Sequence, residues 1–157
     1  MDRFVSTYTM RLDAKGRVSI PAPYRTVLMK DGMDGLYCHP SLAEPALDAG
    51  GNRLVGEIDA LIGSYPPYSE AREELAAALY GTSETLRIDP EGRVVLTETL
   101  KAHAAIADQV AFVGMGHKFR IWEPERLKAH LAEATRRVRE LRQAIGSRAE
   151  NPRGERT

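Results

Sequence analysis

A ten-residue block that occurs twice is the feature of this sequence that most restricts its fold. Residues 11–20 read RLDAKGRVSI and residues 87–96 read RIDPEGRVVL, so equivalent positions lie 76 apart (87 − 11 = 76). Both copies hold Arg, Asp, Gly, Arg and Val at equivalent positions, and the remaining apolar positions keep their character. Such self-similarity indicates an internal duplication, and we therefore expect two equivalent structural modules.

Each copy of the block is typical of a β-hairpin. Apolar and polar residues alternate on both sides of a turn that contains Gly16 or Gly92. Glycine suits such a turn because a positive φ costs it little, whereas a β-branched residue would be strained there. A helix is predicted to begin after each block, at residues 21–25 and 97–100, because Pro and Thr favour capping and first-turn positions.

The remaining elements predict an α+β fold class. Further strands are expected at residues 35–38, 109–113 and 119–122, and a proline closes each module, at Pro40 and Pro124. Two connector helices are predicted at about residues 52–62 and 70–80, separated by a Pro-Pro break. The predicted divisions are a first module at 1–50, a helical connector at 51–83, a second module at 84–124, a C-terminal helix at 125–146 and a disordered tail at 147–157.

The C-terminal helix carries an apolar seam with alternating spacings of four and three. Its members are Leu127, Leu131, Ala134, Val138, Leu141 and Ile145. A seam of about three heptads fits two arrangements equally, docking on the helix's own module or packing against another subunit. The tail after Gly146 is rich in Arg, Glu, Pro and Gly and has nothing to bury, so disorder is expected there.

Bulk properties restrict the class and location of the protein. The formal net charge is zero, which excludes a uniformly basic protein but not a basic face, since Arg11, Lys15, Arg17 and Arg25 crowd one stretch opposed only by Asp13. No apolar run approaches the roughly 20 residues of a membrane-spanning helix, and the amino terminus lacks a secretory signal pattern. A single cysteine fits a reducing compartment. We therefore expect a cytoplasmic protein without membrane association.

Catalytic, metal and cofactor sites are not predicted. Cys38 and the four histidines lack the close pairs of a zinc site, and a buried thiol with surface imidazoles is the expected arrangement. Residues 114–116 lack the third glycine and the Lys-Ser/Thr of a phosphate-binding loop, so a turn between strands is expected. The aromatic residues at predicted strand positions are expected in the core. These residues are Tyr37, Phe112, Phe119 and Trp122.

Three segments together resemble the MraZ family of bacterial regulators: residues 12–21, their echo at 88–96, and residues 112–122. The duplicated Asp-x-x-Gly-Arg pattern is specific to that family, whereas one copy would equally suggest the wider class of AbrB-like proteins. The resemblance implies two tandem AbrB-like modules whose hairpins interdigitate in a pseudo-dimeric swapped-hairpin barrel. It also implies a ring-shaped homo-oligomer that binds direct repeats in promoter DNA, upstream of its own cell-division and cell-wall operon, in association with the nucleoid.

Candidate DNA contacts follow from the cations of the repeated block. Lys and Arg neutralise phosphates, Arg can also bind guanine with two hydrogen bonds, and a two-stranded ribbon fits the major groove. The predicted contacts are Arg11, Lys15 and Arg17 in the first module and Arg87 and Arg93 in the second. Glu91 replaces Lys15 in the second copy, so the second module is expected to contribute more to assembly than to DNA binding.

A structural role competes with the functional one at each repeated turn. Asp13 and Asp89 each precede an arginine by four residues and, with Gly16 and Gly92, are expected to shape the turn and its cleft. The resemblance places these residues in a cleft between neighbouring modules. Two rival functions remain open: an assembly module that binds a protein partner through its last helix, and an enzyme that uses the Asp/Arg clefts. The second is weaker because an Asp–Arg pair supplies no nucleophile.

Overall fold

A computed structural model describes the backbone of residues 2–150 and the side chains of residues 2–147. The chain divides into two compact units, one that ends at Pro124 and one that begins at Glu125. Across the described residues the first unit contains these elements in chain order: β1 (Thr7–Arg11), β2 (Arg17–Ser19), α1 (Ala22–Asp31), β3 (Leu36–Pro40), β4 (Leu47–Gly50), α2 (Asn52–Gly63), α3 (Glu70–Leu79), β5 (Glu84–Leu86), β6 (Arg93–Val95), α4 (Glu98–Ala104), β7 (Gln109–Gly114) and β8 (Phe119–Trp122).

The strands form a six-stranded antiparallel sheet, in the order β1-β7-β8-β4-β3-β5, and a two-stranded ribbon of β2 and β6. The large sheet is symmetric about its centre. Strands β1 and β5 form its edges, β7 and β3 lie next to them, and β8 and β4 form its centre. The predicted α+β class is confirmed. The swapped-hairpin barrel that the resemblance implies is not closed, because β1 and β5 are the two free edges of an open sheet. The division into tandem modules stays a prediction.

The local hairpins predicted for the two blocks do not form. The strands on either side of each turn pair elsewhere: β1 pairs with β7, β5 with β3, and β2 with β6. The ribbon is centred on Val18 opposite Val94, which are equivalent positions of the two blocks. Both valines are buried, so pairing the blocks with each other buries one apolar face of both strands at once.

The connector helices agree with the sequence to within one residue at each end. Ser69 begins α3 by accepting a hydrogen bond from the Arg72 N–H at 3.2 Å, and Thr97 caps α4 in the same way. Strand β4 was not located from sequence, because Asp48 and Gly50 are residue types depleted in strands.

The core of the first unit lies between the large sheet, the ribbon and helices α1 and α4. Tyr37, Phe112, Phe119 and Trp122 are all buried, which confirms the prediction made for these aromatic residues. A smaller apolar cluster lies under the connector helices and consists of Tyr37, Leu54, Ile58, Ile62 and Leu79. It fixes α2 and α3 beside β3, where they form one wall of a cavity described below.

The second unit is the helix α5 (Pro124–Glu150). It continues past the predicted end at residue 146, and the rest of the predicted disordered tail, residues 151–157, lies outside the described residues. Val138, Leu141 and Ile145 of the apolar seam are each more than half exposed. Within residues 2–150, no helix combines the length and the apolar character needed to cross a bilayer.

Candidate nucleic-acid interface

The two repeated turns are built alike, each around one aspartate. The Asp13 Oδ1 atom accepts hydrogen bonds from the backbone N–H groups of Lys15 and Arg17, both at 2.9 Å, and Oδ2 accepts one from Arg17 Nε at 2.5 Å. The Asp89 carboxylate repeats this pattern, with backbone bonds of 2.9 Å and a 2.8 Å bond from Arg93 Nε. Each aspartate therefore fixes both the turn and the orientation of the arginine that follows it.

Glycine completes each turn. Gly16 has a φ of +78° and Gly92 a φ of +81°, in the left-handed region that other residues adopt only with strain. Both glycine N–H groups donate back across the turn, to the carbonyl oxygens of Asp13 and Asp89, at 3.0 and 2.9 Å. The Asp-x-x-Gly-Arg pattern is thus a local structural unit whose last residue emerges in a fixed direction.

The pairing of β2 with β6 brings the two arginines onto one surface. Arg17 lies opposite Val95, and Ser19 lies opposite Arg93. Side chains alternate across a strand, so these four residues share the outward face of the ribbon, while the two central valines point into the core. Arg17 and Arg93 are diagonal neighbours on that face, with side chains 32% and 26% exposed. We call this outward surface the ribbon face.

The two ends of the ribbon face differ in charge. The first turn lies at the Leu96 end, where the Leu96 N–H donates to the Gly16 carbonyl at 3.2 Å, and it exposes Lys15. The second turn lies at the Ile20 end and exposes Glu91, whose carboxylate is 3.5 Å from Arg93 Nη1. The end with Lys15 is therefore the more cationic of the two.

Hydrogen bonds within the turns stabilise the charged forms of both aspartates and of Arg93. The backbone N–H of Arg17 is the main cause of a lowered pKa at Asp13, and the backbone N–H of Arg93 lowers the pKa of Asp89 in the same way. The hydrogen bond to Asp89 raises the pKa of Arg93. A guanidinium has five N–H donors. Each aspartate occupies the Nε donor, so the terminal Nη groups are the ones directed to a ligand.

Arg11 and Arg87, which were also predicted as DNA contacts, lie on the edges of the large sheet. Arg11 ends β1 and makes an exposed ion pair with Asp108 at 3.8 Å. Arg87 directly follows β5 and is exposed. The structure therefore joins Arg17 and Arg93 on one face, with Lys15 at its end, and places the other two arginines on separate strands. Their roles as DNA contacts stay a prediction.

Arg25 was not predicted as a site residue, although it belongs to the basic stretch at residues 11–25. It extends from α1 over the second turn, and its Nη1 donates to the Glu91 carbonyl at 3.4 Å. Its guanidinium lies against Gly92. Its Nε is buried and makes no hydrogen bond to the described part of the chain. The helix of the first half thus supports the turn of the second half.

The cysteine and histidine predictions have mixed outcomes. Cys38 is buried as expected, and burial raises the pKa of its thiol. The prediction of a surface imidazole is wrong for His39, which is buried between β4 and the connector helices. Its Nδ1 is 2.9 Å from the Pro40 carbonyl oxygen. Among the side chains of residues 2–147, no group of three or more Cys, His, Asp or Glu is arranged to hold a metal ion.

Comparison with known proteins places the chain in a family. The family model described as "MraZ protein, putative antitoxin-like" matches residues 79–144. The chain is 94% identical over 153 residues to the transcriptional regulator MraZ of Xanthobacter autotrophicus, covering 98% of both chains. It is 81% identical to the protein of that name from Azorhizobium caulinodans, over 96% of each chain, and 40% identical to one from Rickettsia bellii, over 90% of this chain and 95% of that one. The chain belongs to the MraZ family.

Proposed function

We propose that the protein is a transcriptional regulator that binds double-stranded DNA in a sequence-specific manner through the ribbon face. In this proposal it acts as a ring-shaped homo-oligomer on direct repeats in the promoter of its own cell-division and cell-wall operon, in the cytoplasm at the nucleoid. Relatives that match over nearly the whole chain are named transcriptional regulators, which supports the class of function. The observation that carries the DNA site is the convergence of Arg17 and Arg93 on one outward face.

The geometry of Arg17 suits recognition of a base or a phosphate. Asp13 holds its Nε, so the guanidinium is oriented before DNA arrives and loses little rotamer freedom on binding. Its Nη groups can then donate to guanine or to a phosphate oxygen. The two-stranded ribbon that carries it is narrow enough for the major groove. Lys15, at the end of the same face, supplies a cation for a flanking phosphate.

The two halves contribute unequally in this proposal. Glu91 is within 3.5 Å of the Arg93 guanidinium and would repel a phosphate brought to it. That carboxylate also occupies Arg93 Nη1, which leaves fewer donors of this guanidinium for DNA. The first half therefore makes the main DNA contact, and the second half serves assembly.

Assembly into a ring compensates for the weak field of one chain. The net charge of the two turns is zero, because three cations stand against three carboxylates: Lys15, Arg17 and Arg93 against Asp13, Asp89 and Glu91. Linking several weak sites raises the effective concentration of each without a new contact. Repeated protein then binds repeated DNA. An enzymatic role is not part of the proposal, because the Asp–Arg pairs supply neither a nucleophile nor a matched acid and base.

The proposal is tested by fluorescence anisotropy with DNA from upstream of the protein's own gene and with scrambled DNA. We expect tighter binding to the upstream DNA, with affinity falling steeply as salt rises and as repeats are removed. Arg17→Ala, checked for an unchanged oligomer, is expected to weaken binding roughly 5- to 150-fold, which corresponds to about 1–3 kcal/mol for one good arginine contact. Lys30→Ala, which removes an exposed cation outside the ribbon face, is the matched control. Equal affinity for one repeat and for several would contradict the ring model.

A second function has support from the exposed seam of α5. Val138, Leu141 and Ile145 present an apolar surface at heptad spacing, as a helix does that packs against a partner. The chain would then be an assembly module that binds a protein partner through this helix. Failure of the purified protein to bind any DNA at low salt, together with capture of a partner that Leu141→Asp abolishes, would favour this function over the first.

A further inference from the structure

A cavity of about 290 Å³ lies in the first unit and shares no residue with the repeated blocks. Strands β4 and β8 form its floor, helices α2 and α3 one wall, and the loop after β3 its mouth. It is lined by apolar side chains, two histidines and a serine, and by four charged groups: the cations Lys118 and Arg120 and the carboxylates of Asp48 and Glu57. The ones that matter here are Asp48, Lys118 and Arg120 on the floor, with Leu54, Ile58 and Leu61 on the wall.

Two partly buried cations on the floor of the cavity share one buried carboxylate. Asp48 and Arg120 lie directly opposite each other on β4 and β8, with Arg120 Nε donating to Asp48 Oδ1 at 2.6 Å. Lys118 Nζ donates to the other carboxylate oxygen at 3.0 Å. The three side chains are only 6–17% exposed. The two cations therefore share one carboxylate, and a charge that is partly removed from water without a full partner is costly.

The groups at the rim do not cancel this surplus. Glu57 is half exposed and forms an ion pair with Arg53 at 3.9 Å, and its other carboxylate oxygen lies 3.0 Å from His117 Nε2. His39 faces Asp48 from the third side, its Nε2 being 3.9 Å from Asp48 Oδ2, and adds no negative charge. Asp48 is the carboxylate that contacts both floor cations, and Glu57 is paired with Arg53, so three cations face two carboxylates and one positive charge is left for an anion.

The wall of the cavity is apolar. Leu54, Ile58 and Leu61 follow one face of α2 at spacings of four and three. Leu79 of α3 joins them from the side, and Leu42 stands at the mouth. Leu42 and Leu61 are exposed. Apolar side chains that border a cavity and remain open to water are typical of a surface that a ligand covers.

We infer that this cavity binds a small organic anion with one carboxylate or phosphate head and an apolar body. The head lies against Lys118 Nζ and the terminal nitrogens of Arg120, where it completes the charge balance of the floor. The body lies along the leucines of α2 and the mouth. Neither half of such a ligand suffices, because the head alone gains no apolar burial and the body alone leaves the surplus charge unpaired.

Isothermal titration calorimetry of the full-length protein with octanoate tests the inference. Octyl phosphate distinguishes a phosphate head from a carboxylate. Acetate and 1-octanol each keep one half of the ligand, and both are expected to bind at least tenfold more weakly than the better of the two amphipathic anions. Acetate or octanol binding as tightly as that anion would overturn the inference.

Lys118→Met separates ligand binding from folding. It removes the surplus cation and leaves the Asp48–Arg120 pair, so the thermal midpoint is expected to stay or rise while octanoate binding weakens at least tenfold. Lys30→Met, an exposed cation elsewhere in the unit, is the matched control and should bind octanoate as the unchanged protein does. The inference fails if neither octanoate nor octyl phosphate binds, or if Lys118→Met binds the anion undiminished. A changed oligomer in Lys118→Met without anion binding would instead assign the surplus charge to a subunit contact.

Discussion

The two turn glycines allow a paired test of how the halves of the chain support each other. Gly16 and Gly92 have nearly the same φ, +78° and +81°, so replacement by alanine imposes the same backbone strain at both. A left-handed alanine costs about 1–2 kcal/mol. The loss of unfolded-state entropy returns about 0.4–1 kcal/mol of that. Gly16→Ala should therefore destabilise the protein by about 0.5–1 kcal/mol.

Gly92→Ala should cost more, because the space beside the two glycines differs. A Cβ at position 16 would meet its nearest neighbours at 3.7 and 3.9 Å, which is ordinary contact. A Cβ at position 92 would lie 2.6 Å from Arg25 Cδ and 2.8 Å from Cζ, and closer still to Nη1. Arg25 must then leave its site and give up its bond to the Glu91 carbonyl. Because these atoms belong to the far end of a flexible side chain, the cost beyond the backbone strain is mainly the loss of that bond, about 0.5–1.5 kcal/mol.

Urea unfolding of the two alanine variants measures the difference, and an Arg25→Ala background identifies its cause. We expect Gly92→Ala to be about 0.5–1.5 kcal/mol less stable than Gly16→Ala, with the excess disappearing when Arg25 is also alanine. Equal destabilisation by the two glycine substitutions would refute the proposed contact. An excess that persists in the Arg25→Ala background would refute Arg25 as its origin.

Three further predictions concern the charged groups and the last helix. The pKa of Asp89 in the folded protein lies below its ordinary value of 3.8, so its stabilising effect is present above that pH and is lost as pH falls through the folded value. Urea unfolding across this range should show that the stability of Asp89→Asn depends less on acid than that of the unchanged protein. The same acid dependence in both proteins would contradict this prediction. Asp48→Asn leaves two partly buried cations without their carboxylate and should lower the unfolding free energy by about 2–3 kcal/mol, whereas a loss under about 1 kcal/mol would mean that water in the cavity already screens them. If α5 packs on another subunit, Leu141→Asp should reduce the mass measured by light scattering, and an unchanged mass would exclude the seam from the oligomer contact.

The sequence predicted local features well because local chemistry determines them. The turn at Asp13 and Gly16 depends on residues within four positions of one another, and so does the cap at Ser69. The strand with which β2 pairs is not determined by local chemistry. Val18 can be buried against a strand anywhere in the chain, and alternation alone cannot distinguish a hairpin neighbour from β6, which lies about 76 residues away. The prediction of local hairpins failed for that reason.

The charged floor of the cavity was not predictable for a related reason. Asp48 is an unfavourable strand residue by propensity, and only its partners on β3 and β8 make its burial tolerable. His39 was expected at the surface because its isolated position suggests no ligand or buried partner. It is buried because the register of β3 with β4 places it opposite Asp48. Both features depend on strand register, which no single segment specifies.

The most direct test of the ribbon face as the DNA-binding surface is a cysteine placed on it. Cys38 is buried, so Ser19→Cys, between the two arginines, introduces the one exposed thiol of the described residues. Ser64→Cys, at the end of α2, is the matched control. We expect promoter DNA to slow maleimide alkylation at position 19 and to leave the rate at position 64 unchanged. Equal rates at position 19 with and without bound DNA would contradict the proposed interface.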